Sequence, residues 1–169
     1  MMILIYGPNG SGKSRYAEQL AVELGGTRTY IATMVSMNEE NERRIEKHRR
    51  QRAGLGFRTL EIPFGLEGAE IDGEDAVLLE DLSNLLANRM FMGGGTAEET
   101  LDEVQALAAR CRHLLVVSIG GLTAEGFDGD TAAYIHGLNG LNHRLSELAD
   151  VVIEMADGQA AMRKGAELL

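Results

Sequence analysis

The 169-residue sequence contains one cysteine, Cys111, so it can form neither an internal disulfide nor a cysteine-rich zinc site, and a reducing, cytoplasmic setting is expected. It is also short of positive charge. Sixteen lysines and arginines stand against 26 aspartates and glutamates, a net charge of −10. A surface of that sign repels phosphate backbones, so nucleic acid is not an expected partner. No apolar run approaches the ~20 residues that a membrane span needs. The short run Met2 to Tyr6 leads straight into a glycine-rich loop rather than into a cleavage site. Internal repeats and low-complexity tracts are lacking as well. The length suits one domain with a sizeable core, expected over residues 1–169.

What the chain does have is alternation. Apolar runs at 2–6, 29–34, 76–82, 113–120 and 150–155 are separated by amphipathic segments. The spacing predicts helices at about Ser14–Leu24, Asn38–Gly54, Ser83–Met90, Ala97–Arg110 and Thr131–Ala149. Five strands alternating with helices predict an α/β fold of the P-loop NTPase type, a doubly wound and mainly parallel sheet flanked by helices. Ligands of such sheets bind at the carboxyl ends of the strands, where the first loop, Thr33, Glu80, Asp81 and Ser118 are expected to gather. Stretches 65–76 and 92–100 read as loops, and Gly93-Gly94-Gly95 as a flexible connection.

The first loop carries the strongest chemical signal. Gly7, Pro8, Asn9, Gly10, Ser11, Gly12, Lys13 and Ser14 satisfy the pattern G-x-x-x-x-G-K-[ST] between a strand and a helix. Glycines allow consecutive N–H groups to converge on one anion, and the helix start adds its unpaired N–H groups and positive dipole end. Lys13 would reach the β/γ-phosphates of ATP or GTP, and the Ser14 hydroxyl would join the oxygen shell of a Mg²⁺ ion. Such sites need a carboxylate at the end of a neighbouring buried strand. The stretch "VLLEDLS" offers Glu80 and Asp81, of which strand alternation points one inward; Glu80 is favoured for the metal, with Asp81 as its neighbour. A solvated acidic pair is the competing reading. The segment "NEENERRIEKHRRQR" at 38–52 holds a lone histidine, His48. Its composition favours a solvated helix laced by i,i+4 pairs, while leaving open a triphosphate clamp in which a neutral imidazole attacks phosphorus.

Taken together, these residues resemble the bifunctional adenosylcobinamide kinase/adenosylcobinamide-phosphate guanylyltransferases of cobalamin assembly. The likeness rests on Lys13-Ser14-Arg15-x-Ala17-Glu18, Tyr30-Ile31-Ala32-Thr33, Arg44-Ile45-x-x-His48-Arg49, then Phe57, Thr59, Glu61 and Pro63, and finally Leu78-Leu79-Glu80 and Ser83. It extends to Asn142, Leu145, Ala149 and Asp150, and so spans nearly the whole chain. The chain departs from the family where Val117 to Gly121 replace an Asn-Glu-Val-Gly element, and where Tyr134-Ile135-His136 replace an aromatic-Arg-Asp element. The resemblance implies phosphorylation of adenosylcobinamide with ATP or GTP. It further implies transfer of GMP from GTP, through a guanylyl-histidine at His48, to adenosylcobinamide phosphate. Lys13, His48 and Glu80 would be catalytic; the loop, Thr33, Arg49 and Glu61 would bind nucleotide; Ser14, Glu80 and Asp81 would hold Mg²⁺. A homotrimer is implied too. The residues by themselves leave two alternatives open, a P-loop kinase of another small-molecule acceptor and a non-catalytic nucleotide-binding protein.

Overall fold

The computed structural model describes residues 1–168. Its centre is β1 (Met2–Gly7), a run so apolar that it is buried on both faces, as a central parallel strand must be. β1 pairs in parallel with β5 (His113–Ile119) on one side and β6 (Val151–Ala156) on the other. Its alternating side chains feed two separate cores. Met2 and Leu4 join Leu79, Val116 and Leu138 on one face, while Ile3 and Ile5 join Ala17, Leu20, Leu115 and Ile153 on the other. That division is the period-two signature of a sheet covered on both sides.

The remaining strands are β2 (Arg28–Ala32), β3 (Phe57–Glu61), β4 (Ala76–Glu80) and β7 (Gln159–Lys164), arranged in the order β3-β2-β4-β5-β1-β6-β7. All pairings are parallel except the β6–β7 hairpin. The helices are α1 (Lys13–Glu23), α2 (Glu39–Arg52), α3 (Leu82–Asn88), α4 (Ala97–Ala108) and α5 (Gly129–Leu148). α4 starts at a reciprocal capping box between Thr96 and Glu99 and turns Leu101, Val104 and Leu107 into the core. α2 is different: of its fourteen residues only Arg52 is buried. Among the described residues no helix is long and apolar enough to cross a membrane.

Two expectations need correction. The sheet has seven strands rather than five, because β3 and β7 are edge strands whose sequences, "FRTLE" and "QAAMRK", carry no buried run to announce them. The triple glycine is not a loose connection. α3 continues as a π-turn over Arg89–Gly93, and Gly94 ends it in the left-handed region at φ 69°. A Cβ on Gly95 would stand 2.6 Å from Arg89 Nε, so Gly95 is packed tightly onto the Arg89 side chain.

Candidate active site

The site forms where β1, β2 and β4 end. The Gly7–Ser14 loop turns back beneath the start of α1, with Gly10 and Gly12 at φ 75° and 89° presenting successive backbone groups to one side. β6 and its hairpin turn support the loop from behind. Gly158 N–H donates to the Ser11 carbonyl at 3.2 Å, and a Cβ at Gly7 would fall 2.2 Å from the Met155 carbonyl oxygen. Lys13 Nζ donates to the Pro8 carbonyl at 2.8 Å, which holds the ammonium over the loop. Burial pulls the Lys13 pKa down, and the charges of Asp81 and Glu80 oppose that shift.

Glu80 is the last residue of β4, and its Oε1 accepts the Ser14 hydroxyl at 2.5 Å. Its Oε2 is buried without a partner. Burial, then the neighbouring Asp81 charge, pushes the Glu80 carboxyl up to about 8. Asp81 stands just beyond the strand as the N-cap of α3, accepting Asn84 N–H at 2.7 Å. Both carboxylates nonetheless line the same cavity, where alternation within a strand points only one inward. The pleat ends at Glu80, and with it the alternation. Of the two, Glu80 is the one bonded to Ser14, while Asp81 also holds the helix start.

His48 lines the same cavity, whose volume is about 1210 Å³. Its Nδ1 is buried and unpartnered, and its pKa is lowered by burial and then by the positive charges of Arg44, Arg52 and Lys47. The imidazole is therefore uncharged at neutral pH. Arg49 and Glu61 also face the cavity and pair with each other at 2.8 Å. Asn9, Gly10, Gly12, Lys13 and Ser14 complete the lining.

Some expected residues sit behind the wall instead of on it. Gly7, Pro8 and Ser11 shape the loop without lining the cavity. Thr33 is fully buried; its hydroxyl donates to the Asp81 carbonyl and accepts the Asp81 N–H, both at 2.8 Å. Thr33 therefore locks the end of β2 to the β4–α3 junction. Ser118 is likewise fully buried, within 3.5 Å of the Ser83 hydroxyl. Sequence reasoning overlooked Asn84, Gln51 and Tyr30 on the cavity wall, and Glu18 as a support beneath it. Glu18 had a readable signal. It falls one turn after Ser14 on the face that carries Ala17 and Ala21, where a carboxylate is out of place.

An anion cradle, an uncharged imidazole and two hard carboxylates around one cavity are suited to chemistry at phosphorus. Comparisons with known proteins narrow this. The fold is shared with a solved ATPase domain, at a TM-score of 0.53 and 9% identity over 90% of this chain and 68% of that one. At full length the chain is 31% identical to the bifunctional adenosylcobalamin biosynthesis protein CobU of Salmonella typhimurium, covering 94% of this chain and 97% of the relative. It is also 31% identical to the bifunctional adenosylcobalamin biosynthesis protein CobP of Pseudomonas aeruginosa, over 99% of this chain and 100% of that one. The family model described as cobinamide kinase / cobinamide phosphate guanyltransferase matches residues 3–162, a span that contains the loop, His48, Glu80 and both halves of the sheet. The chain thus belongs to the cobinamide kinase / cobinamide phosphate guanyltransferase family.

Proposed function

We propose that this protein phosphorylates adenosylcobinamide and then transfers GMP from GTP to the resulting adenosylcobinamide phosphate, using His48 as the intermediate carrier. The observation that carries the reading is that the phosphate loop and an uncharged His48 line one cavity, in a chain of this family. In the first step the acceptor hydroxyl oxygen attacks the γ-phosphorus of ATP or GTP and the nucleoside diphosphate leaves. Lys13 and the loop N–H groups hold the charge that develops on the phosphate oxygens. In the second, a ring nitrogen of His48 attacks the α-phosphorus of GTP, forming an N–P bond as pyrophosphate departs. Nδ1 is buried, which leaves Nε2 to attack. An oxygen of the corrinoid phosphate then displaces the imidazole, giving adenosylcobinamide-GDP and free His48. Arg44, Arg49 and Lys47 lie beside the imidazole on the cavity wall and would neutralise the triphosphate as it approaches.

The residues fit a Mg²⁺ ion. Glu80 Oε2 is a buried oxygen without a partner, and Ser14 and Asp81 add oxygen donors next to it. Mg²⁺ is commonly held by one or two carboxylates together with substrate phosphates. Bound there, Mg²⁺ would neutralise phosphate charge. Glu80, Asp81 and Ser14 would hold it, while Lys13 holds the phosphates on the other side. We place the activity in a cytoplasmic homotrimer, supported by the free Cys111 and by the family resemblance; sedimentation of the purified protein tests the assembly. The function itself is tested by supplying adenosylcobinamide, GTP and Mg²⁺ and separating the corrinoids. Adenosylcobinamide phosphate followed by adenosylcobinamide-GDP is the expected course. GTP turnover with the corrinoid unconverted would point to a kinase of another acceptor.

A further inference from the structure

α2 carries His48, yet almost nothing apolar fastens it to the body. Its single buried residue is Arg52, and ten of its fourteen residues are charged. A helix placed that way is held by specific polar contacts, because burial cannot fix it. Those that reach across to the sheet and α1 cluster at its C-terminal end. Gln51 Nε2 donates to Glu18 Oε2 at 2.5 Å, the Arg52 guanidinium lies 3.9 Å above the Tyr30 ring, and Arg52 reaches Thr59 Oγ1 at 3.4 Å. His48, Gln51 and Arg52 stand at i, i+3 and i+4, so they share one face of α2.

Glu18 is the unusual member. It is 1% exposed, lies on the apolar face of α1, and leaves Oε1 buried without a partner. A carboxylate in that place destabilises the fold unless its bonds serve something. Nothing within α1 uses it, and it is not on the cavity wall. Among the described residues its one side-chain hydrogen-bond partner is Gln51. Because Lys13, Ser14 and Glu18 belong to the same helix, a bond from Glu18 to Gln51 sets α2 directly against the phosphate loop.

We propose that Glu18 is the positioning residue for His48: its hydrogen bond to Gln51 fixes the histidine-bearing face of α2 at attacking distance from a phosphate chain held by the Gly7–Ser14 loop. Arg52 over Tyr30 is the second fastening of the same face. The inference rests on the reading of His48 as nucleophile. It adds a division of labour, since adduct formation takes its nucleophile from α2 and the kinase step does not.

The test compares three variants with wild type, measuring labelled GMP on His48, GTP KM, and phosphorylation of adenosylcobinamide. Glu18→Met keeps the volume and removes the buried charge, so the protein should fold at least as stably. Displacing the imidazole by an ångström costs on the order of a hundredfold in rate. Glu18→Met and Gln51→Ala should each lower adduct formation by about that factor, and in Glu18→Met, whose side chain lies off the cavity wall, the kinase rate should stay within about threefold. The double variant should be no slower than either single one, because both remove the same bond. Glu18→Gln retains a carbonyl acceptor for Gln51 and should recover most of the transfer rate. Wild-type adduct formation in Glu18→Met, a parallel fall of the kinase step, or multiplicative losses in the double variant would overturn the proposal. Absence of any adduct in wild type would remove the underlying reading of His48, a different outcome from an adduct that ignores Glu18.

Discussion

Lys13 is one of the few cations on the phosphate-loop side of the cavity, and it donates to the Pro8 carbonyl of its own loop. Lys13→Ala should therefore lose about tenfold to a thousandfold in nucleotide affinity or turnover, the worth of a charged phosphate contact; equilibrium binding of GTP checks this. Glu80→Gln should separate function from stability. It removes a buried carboxylate next to Asp81, so the metal-free protein should melt at a higher temperature while Mg²⁺-dependent turnover falls. Asp81→Ala, by contrast, removes the α3 cap and should cost stability, about 1 kcal/mol. The pH dependence of the transfer step follows from the direction of the His48 shift. A lowered pKa keeps the lone pair available at neutral pH, so adduct formation should be flat there and fall only below the ordinary histidine value of 6.5. At this scale the sequence is most legible where residue type and spacing define the chemistry. Lys13 and Ser14 can be named from the loop pattern alone, whereas His48 is singled out only by the family resemblance. That resemblance also assigns Thr33 to nucleotide, whereas its hydroxyl is occupied by Asp81, because a motif records that a residue is near a site and not which neighbour its side chain meets.

The elements are readable where burial on both faces writes a continuous apolar run, as in β1, β4, β5 and β6. β3 and β7 escape because edge strands bury little and carry charge, which is the composition of a loop. The β6–β7 turn has consequences for the site, since it backs the phosphate loop at Ser11 and Gly7. Gly7→Ala should therefore displace the loop and impair nucleotide binding, because its Cβ would meet the Met155 carbonyl at 2.2 Å and backbone cannot step aside. A control belongs to α4, far from the cavity. Thr96→Ala breaks the capping box and should cost about 1 kcal/mol of stability with no change in either transfer step; denaturant melts alongside activity assays compare the two.

Over the whole molecule, one cavity draws residues from the first loop, from α2, from the end of β3 and from the end of β4. A nucleotide bound there ties together segments that are distant along the chain, and GTP at a hundredfold excess over its Kd should stabilise the fold by about 2.7 kcal/mol, an effect that is smaller in Lys13→Ala at the same GTP concentration. The global charge of −10 makes this local concentration of arginines necessary, since the remaining surface repels a triphosphate. Whether His48 and the phosphate loop act on the same GTP can be read from a single labelling. Wild-type protein is incubated with α-labelled GTP and Mg²⁺ at neutral pH, and its peptides are mapped under alkaline conditions that spare an N–P bond. The expected result is one acid-labile GMP on the peptide containing His48, lost in His48→Ala and strongly reduced in Lys13→Ala. A protein that binds GTP but carries no adduct, or carries it on another residue, would contradict that shared action.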